Sequence, residues 1–404
     1  MSSTTEFAVI VQSWFDGERH HDKHGPATFI VRDGRVAEIV AGDHGSALTQ
    51  RGVAVERGAF LMPGLVDAHV HLFLDGAAMV NKERSEHLKQ APEQLLHAAR
   101  SSARQSLNCG VTLVRDAGDR HGINSRVREE ARLPDSGLAR VRSGGMGIKR
   151  ARRYGAFMAG DVHDERSIQD AVRALALDND EIKLILTGII DFDAGGVTDE
   201  PQFTLEEAKL VVATARAGGR QVFAHCSGTK GLAIAAAAGV GSIEHGFFMA
   251  REHLAVMLKN QVAWTPTFSP VYFQWAHPEI AAWSAPTVAN LRHILDQHAY
   301  HLKLATEMGV TLLLGTDAGS MGVEHGYAAY GEIQRYLEAG LTLELTLAAA
   351  TSNARRHFGF EYPTLLVGAP FDTILLAQDP FVELNALRKP LQVWPACAKI
   401  DVKF

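Results

Sequence analysis

Two histidines stand one residue apart at the end of an early apolar run. The segment PGLVDAHVH runs from Pro63 to His71. Residues i and i+2 of a strand face the same side, so His69 and His71 would point into one space. A neutral imidazole can be satisfied in a protein core by one donor and one acceptor, and it can also bind a divalent metal. The pair therefore predicts either two core histidines or the first half of a metal site.

Further imidazole and carboxylate groups lie at the ends of later apolar runs. These are ligands that zinc and similar divalent metals use. A single histidine at a strand end is commonly structural, but five metal-binding side chains at the ends of four runs are harder to explain in that way. The joint pattern favours a metal site formed by His69, His71, His225, His245 and Asp317.

Lys183 lies inside the apolar run EIKLILTG. Burying a charged ammonium group is costly, so the side chain would either pair with Asp317 or Glu181 or point outward. Alternatively, its amine has reacted with carbon dioxide to give a carbamate, whose two oxygens can bridge two cations. The residue types alone leave these alternatives open.

Short apolar runs separated by helical stretches make up the middle of the chain. Eight such runs are the number expected for a parallel (β/α)8 TIM barrel, in which the functional groups lie at the carboxyl ends of the strands. Thr204 and Glu207 have the spacing of a capping box before a helix, and a second helix is predicted over 291–308. The eight runs are 65–71, 111–117, 138–144, 182–188, 222–226, 242–246, 262–267 and 311–317.

Both ends of the chain have a β texture. Apolar runs broken by turn residues fill 1–60, where Asp33 and Gly34 give a strong hairpin signal, and similar runs return in 359–404. We therefore predict a small composite β-sandwich domain formed by 1–60 and 359–404, with the catalytic barrel in 61–358.

The composition and charge give no support to several classes of partner. The 404 residues are 46% hydrophobic and 21% charged with a net charge of -6, which gives no reason to expect nucleic acid or a membrane as partner and favours a small-molecule substrate. Three separated cysteines, Cys109, Cys226 and Cys397, favour a reducing compartment. With no leader-like or membrane-spanning segment, we predict a cytoplasmic protein. A homo-oligomer remains open.

These segments together resemble the amidohydrolase superfamily. PGLVDAHVHL is similar to its strand-1 HxH motif, EIKLILTG to its strand-4 lysine segment, FAHCSG and SIEHG to its strand-5 and strand-6 histidines, and LLLGTDAGS to its strand-8 aspartate. GVTLVRDAG is similar to its strand-2 segment, and the Arg-Asp, Ile-Lys and Glu-His-Gly sequences look most like the imidazolonepropionase-like branch. That branch contains binuclear zinc dipeptidases, prolidases and related amide hydrolases.

The resemblance implies a metal-dependent hydrolase that cleaves an amide bond of a small substrate, such as a dipeptide or an N-acyl amino acid, by attack of a metal-bridging hydroxide. Asp317 would be both ligand and catalytic base. The resemblance also implies two divalent ions, expected to be Zn²⁺, bridged by Lys183 in its carboxylated form. The other ligands would be His69, His71 and Asp317 for the more buried ion, and His225 and His245 for the more exposed one.

The chain departs from this branch after strand 3. Dipeptidase-type relatives have a glycine- and histidine-rich loop there, whereas this chain has SGGMGIKRARRYGAFMAGDVHD. Its basic run would be either a solvated surface loop or the site where an arginine binds a substrate carboxylate. His325 faces the predicted mouth, where a structural role is equally compatible with its position. The candidate substrate-binding residues are Arg150, Arg152, Arg153, Tyr154 and His325.

Two other functions compete with amide hydrolysis. The first is a cyclic-amide or lactone hydrolase or a deaminase of the same superfamily, although such deaminases generally use one metal and lack the bridging lysine. The second is a non-catalytic scaffold barrel. Scaffold relatives have lost metal ligands, whereas this sequence keeps the full predicted set.

Overall fold

The structure is a computed structural model that describes residues 6–23, 25–133 and 135–396. Cys397 and the last part of the predicted β tail, 397–404, lie outside the described residues. No helix in the described part of the chain is both long enough and apolar enough to cross a membrane.

Strands occur along the whole described chain. They are β1 (Glu6–Val11), β2 (Ser13–Phe15), β3 (His20–His21), β4 (Ala27–Arg32), β5 (Arg35–Ala41), β6 (Ala54–Arg57), β7 (Phe60–Pro63), β8 (Leu65–Val70), β9 (Val111–Asp116), β10 (Arg140–Ser143), β11 (Gly147–Arg150), β12 (Ala159–Val162), β13 (Ile182–Ile185), β14 (Val222–Cys226), β15 (Ser242–His245), β16 (Ala263–Thr265), β17 (Thr373–Leu376) and β18 (Gln392–Trp394).

Helices alternate with the central strands. They are α1 (Gly45–Gln50), α2 (Asn81–His87), α3 (Pro92–Asn108), α4 (Ile123–Ala131), α5 (Glu165–Asp178), α6 (Leu205–Ala217), α7 (Thr229–Ala238), α8 (Arg251–Asn260), α9 (Ser269–Ala276), α10 (Ala285–Met308), α11 (Tyr327–Glu338), α12 (Leu343–Ala349), α13 (Ser352–His357) and a 3₁₀ helix at Leu384–Arg388.

The central strands form two parallel sheets. One has the order β10-β9-β8 and the other the order β12-β11-β13-β14-β15-β16. Because helices lie between consecutive strands, each parallel connection can cross back over the sheet, as in βα units. The architecture is α/β with a TIM-barrel-like fold, so the carboxyl ends of its strands share one face.

The segment 311–318 lies between the two parallel sheets. Leu313 N donates to Trp264 O at 2.8 Å on one side, and Ala68 N donates to Leu314 O at 2.8 Å on the other. The predicted regular strand over 311–317 is nevertheless wrong, because the segment forms only isolated bridges at Leu312 and Ala318. Asp317 has φ +57°, which is incompatible with an extended backbone.

The predicted third strand, 138–144, is shorter and is followed by more β-structure than expected. β10 stops before Gly144, and Gly145 takes φ +60°. The chain then resumes as β11, which pairs with β12 and β13. Lys149 and Arg150 therefore belong to a strand, and the prediction that the basic run is entirely a loop is wrong for these two residues.

Two sheets are built from the chain ends. One has the order β5-β4-β1-β6, and the other, β18-β17-β7-β2-β3, combines strands from both ends. The predicted hairpin is confirmed, since β4 and β5 pair antiparallel around Asp33 at φ +49° and Gly34 at φ +72°. Buried apolar side chains including Phe29, Leu61 and Trp394 pack together between them. The division into two domains at 60/61 and 358/359 stays a prediction.

The two predicted helices are present. Thr204 accepts the N–H of Glu207 at the start of α6, which confirms the capping box. The helix predicted over 291–308 begins earlier, at Ala285, because the Ser284 side chain accepts the N–H of Thr287 and so caps a longer helix.

Candidate metal centre

His69, His71 and Asp317 come together where β8 meets the segment 311–318. One ligand atom from each lies within 4.8 Å of the others. Asp317 Oδ1 is 3.7 Å from His69 Nε2 and 3.6 Å from His71 Nε2. Asp317 N also donates to His69 O at 2.7 Å, which fixes the two backbones against each other. The three residues form one compact group of possible metal ligands.

Two further histidines extend this group across the neighbouring strands. His225 lies in β14 and His245 ends β15, and their ring centres are 4.6 Å apart. The His245 ring is in turn 4.9 Å from the His69 ring. The structure thus brings the four histidines and Asp317 to one face.

Hydrogen bonds hold three of the imidazoles in defined orientations. His69 Nδ1 lies 2.7 Å from Glu244 Oε2, and His71 Nδ1 and His225 Nε2 lie 3.3 Å from the carbonyl oxygens of Gly118 and Gly188. Since these partners only accept, each of these ring nitrogens donates, and the other nitrogen keeps its lone pair. His69 and His71 therefore offer Nε2 to a ligand, while His225 offers Nδ1.

Burial keeps these imidazoles neutral. Desolvation, aided by the nearby Lys183 charge, lowers the pKa of His71 and His225 to about 3. The pKa values of His69 and His245 are also held well below the ordinary value, again mainly by burial. Since a neutral imidazole is the form that binds metal, these histidines are in the protonation state that a cation requires.

His69 Nε2 provides a test of whether a metal fits here. The atom is buried and has no hydrogen-bond partner among the described residues. Leaving a buried polar nitrogen unsatisfied costs about 1–3 kcal/mol. Asp317 Oδ1 supplies negative charge 3.7 Å away, and a divalent cation would satisfy both groups. The donor set of imidazoles and a carboxylate fits zinc or a similar ion.

Lys183 lies buried in β13, among the strands that carry the histidines. A Cβ at Gly147 would approach Lys183 Cγ to 3.0 Å, so the glycine leaves room for the lysine side chain. Desolvation lowers the pKa of Lys183 to about 8, although the negative charges of Glu244 and Asp317 oppose the shift. The amine is therefore more readily neutral than an exposed lysine, as carbamate formation requires.

A buried charge network that the sequence analysis missed supports His69. Glu244 Oε2 accepts from His69 Nδ1, and Arg115 Nη2 donates to Glu244 Oε1 at 2.7 Å. Arg115 also bonds Glu181 Oε1 at 3.2 Å and Ala68 O at 2.7 Å. The Arg-Asp and Glu-His pairs were the only sign of this network in the sequence. The contact between Arg115 and Glu244 depends on the tertiary fold, which the sequence pattern does not show.

Three non-glycine residues at this face adopt left-handed backbone conformations. They are His245 at φ +67°, Thr267 at φ +50° and Asp317 at φ +57°. Adjacent side chains of a regular strand face opposite sides, yet Glu244 and His245 both lie against His69. The turn of the backbone at His245 makes this arrangement possible, and Thr267 Oγ1 then lies 2.7 Å from His245 Nδ1.

The ligand group opens into a cavity of about 300 Å³. His71, His225, His245 and Asp317 line it, together with Tyr154, whose ring centre is 5.1 Å from that of His225. Most of the remaining wall is apolar. A volume and lining of this kind suit a small organic molecule.

The other predicted substrate-binding residues do not line this cavity. Arg150 pairs with Glu207, Arg153 donates to the carbonyl of Glu200, and Arg152 is exposed. His325 is buried, with Nε2 3.2 Å from the carbonyl oxygen of Leu74. Their assignment to substrate binding stays a prediction, and Tyr154 is the member that the structure places beside the predicted metal ligands.

Known proteins are similar to this chain over most of its length. An uncharacterised protein of Mycobacterium tuberculosis is 30% identical over 367 residues, which cover 89% of this chain and 88% of that protein. Aspergillus niger ochratoxinase is 27% identical over 370 residues, covering 82% of this chain and 73% of its own.

Solved structures share the fold. The crystal structure of A. niger ochratoxinase matches with a TM-score of 0.80 and 20% identity, covering 99% of this chain and 96% of that one. That of a Xaa-Pro dipeptidase with bound methionine in its active site matches with a TM-score of 0.81 and 22% identity, covering 98% and 100%.

The family match settles the superfamily prediction. The model of the amidohydrolase family, whose members are hydrolases that typically use metal ions, matches residues 60–397. Because that range includes all six predicted metal ligands and most of the chain, this chain belongs to the amidohydrolase family.

Proposed function

We propose that this protein is a metal-dependent hydrolase that cleaves an amide bond in dipeptides or N-acyl amino acids. One observation carries the proposal: three neutral imidazoles and Asp317 line one cavity, and His69 lies against them with an Nε2 that has no partner among the described residues. Membership of the amidohydrolase family supports it. The similarity to a Xaa-Pro dipeptidase and to ochratoxinase supports a substrate with a C–N bond.

The proposed cofactor is a pair of zinc ions. His69, His71 and Asp317 would hold the first ion, and His225 and His245 the second. Lys183, carboxylated by carbon dioxide, would bridge them, because a carbamate has two oxygens to offer. Zinc fits a ligand set of imidazole nitrogens and carboxylate-type oxygens.

When bound, such ions lower the pKa of water and polarise a carbonyl group. The protein's own side chains would transfer the proton and orient the substrate. The Asp317 side chain is 16% exposed whereas that of His69 is 1% exposed, so the carboxylate reaches the cavity. We assign Asp317 the role of taking a proton from the attacking water and delivering it to the leaving amine. Tyr154 and the apolar wall would orient the substrate and exclude bulk water.

Replacing Asp317 by asparagine tests the proposal. In zinc-loaded protein, Asp317→Asn should keep the fold and most of the metal but lose about 10²–10⁴-fold in kcat, because an amide cannot take the proton. Turnover would be measured on dipeptides, N-acyl amino acids and lactones, with metal content near two per chain as the companion measurement. The control is Asp178→Asn, which changes an exposed carboxylate at the end of α5.

Three outcomes would contradict parts of the proposal. Full turnover by Asp317→Asn would remove the catalytic role of that residue. Hydrolysis of lactones without hydrolysis of any amide would favour the lactonase alternative. One metal ion per chain would count against the bridged pair.

A further inference from the structure

We infer that Arg84 binds a carboxylate group of the substrate, so that the favoured substrates are amides with an apolar acyl group and one carboxylate. The inference rests on the proposed function, since it concerns the cavity beside the same ligand group. It assigns the role to α2, after β8, rather than to the basic run after β10.

The charge inside the cavity singles out Arg84. Among the described residues that line it, only Arg84 and Asp317 carry a formal charge, histidines aside. Much of the remaining wall is apolar and includes Leu74, Phe157 and Phe192. Apart from the proposed metal ions, an anionic ligand that enters this space would therefore meet one fixed side-chain cation in largely apolar surroundings, where a charge-assisted hydrogen bond is strong.

No carboxylate in the described chain forms a direct ion pair with Arg84, although the charges of Asp75 and Asp317 act on it. Its hydrogen bonds all go to backbone carbonyl oxygens, those of Asp75 at 2.7 Å, Ala78 at 3.3 Å and Gly319 at 2.8 Å. Within the described chain it forms no ion pair, whereas Arg150 is bound to the carboxylate of Glu207. A guanidinium has five N–H donors, so donors remain for a ligand while the carbonyls hold the group in place.

Arg84 also stands close to the proposed reaction centre. Its Nη2 donates to Gly319 O, two residues after Asp317. Burial lowers the pKa of Arg84, and the charges of Asp75 and Asp317 oppose that shift. Leu74, Phe157 and Arg84 also line an adjoining recess of about 150 Å³, whose wall includes Asp75. A substrate could thus place its scissile carbonyl near Asp317 and its carboxylate at Arg84.

The same hydrogen bonds offer a competing explanation, because Arg84 could simply link the loop after β8 to Gly319. A purely structural role would affect charged and neutral ligands equally. The deciding measurement therefore compares two ligands that differ only in charge and contain no bond to hydrolyse.

Binding of hydrocinnamate and of hydrocinnamyl alcohol is measured by calorimetry on zinc-loaded wild-type protein, Arg84→Met and Arg84→Lys. Lys82→Met is the matched control, since Lys82 is an exposed cation on the same helix that does not line the cavity. Arg84→Met should weaken the binding of hydrocinnamate by about tenfold to a hundredfold. It should change the affinity for hydrocinnamyl alcohol by less than about twofold. Arg84→Lys should restore part of the loss, because it keeps the charge without the fork.

Several results would overturn the inference. The first is an equal loss of affinity for the acid and the alcohol in Arg84→Met. The others are unchanged binding of the acid by Arg84→Met and no binding of the acid by the wild type. A parallel assay compares kcat/KM for N-acetylphenylalanine and for its carboxamide. Absence of all amide turnover would defeat the proposed function, while the hydrocinnamate comparison would still decide the role of Arg84.

Discussion

Replacing Glu244 by glutamine should weaken metal binding through His69, although Glu244 is not itself a predicted ligand. Both carboxylate oxygens of Glu244 are occupied. Oε2 accepts from His69 Nδ1 at 2.7 Å and Oε1 accepts from Arg115 Nη2 at 2.7 Å. The substitution keeps the shape of the side chain but turns one of these two acceptors into a donor.

Each orientation of the glutamine amide carries a penalty. If its NH₂ faces His69, Nδ1 must become the acceptor and the proton moves to Nε2, which then has no lone pair for a metal. If its NH₂ faces Arg115, two donors are forced together beside a buried charge. Ser242 also donates to this carboxylate, so the second orientation loses a further bond.

The expected loss of metal affinity is about tenfold to a hundredfold, as for other groups that orient a ligating histidine. Removing one partner of a buried ion pair costs roughly 3–5 kcal/mol of stability. Arg115 keeps its contacts to Glu181 at 3.2 Å and to Ala68 O at 2.7 Å. We therefore expect the lower end of that range, about 3 kcal/mol.

Zinc affinity would be measured by competition with a chromophoric chelator, and stability by urea unfolding. Glu181→Gln is the matched control, because Glu181 pairs with Arg115 and Arg142 but does not touch His69. It should lose comparable stability while changing zinc affinity by less than about twofold. Wild-type zinc affinity in Glu244→Gln, or an equal loss of affinity in Glu181→Gln, would refute the reasoning.

Two further substitutions test how the fold positions the site. Gly315→Ala should cost about 1–3 kcal/mol, because the added Cβ would lie 2.4 Å from Thr265 Cγ2; urea unfolding measures the loss, and Gly196→Ala, where nothing lies within 4 Å of the added carbon, is the control. Thr204→Ala should cost about 1 kcal/mol by removing the cap of α6, whereas Thr204→Ser, which keeps the oxygen, should unfold like the wild type. Equal losses in variant and control would contradict either prediction.

The sequence predicted the parallel strands well wherever burial on both faces makes a strand a near-continuous apolar run. For this reason β8, β9, β13, β14 and β15 lie within the predicted apolar runs. The segment 311–318 is different, because its backbone groups are shared between two neighbours and Asp317 turns out of the extended region. Apolar content cannot show that.

The site residues divide in the same way. The predicted histidine and aspartate ligands stand in short motifs at strand ends, so their types and spacing single them out before any contact is known. Arg84 belongs to no such motif, since it lies thirteen residues past His71 in α2, on a helix without buried residues. The Arg115 and Glu244 contact joins two distant strands, and only the folded arrangement reveals it.

The left-handed backbone conformations of His245, Thr267 and Asp317 make the stability of the fold depend on binding of the proposed metal. Each such residue costs about 1–3 kcal/mol, and a β-branched threonine is especially unfavourable there. Their sum is of the same order as the net stability of a typical domain, about 5–15 kcal/mol. An ion that binds only the folded chain adds stability that grows with the logarithm of its concentration above the dissociation constant. If the site binds the metal that we propose, the folded protein is expected to be most stable where that metal is plentiful, and scarcity of the metal would lower its stability as well as its activity.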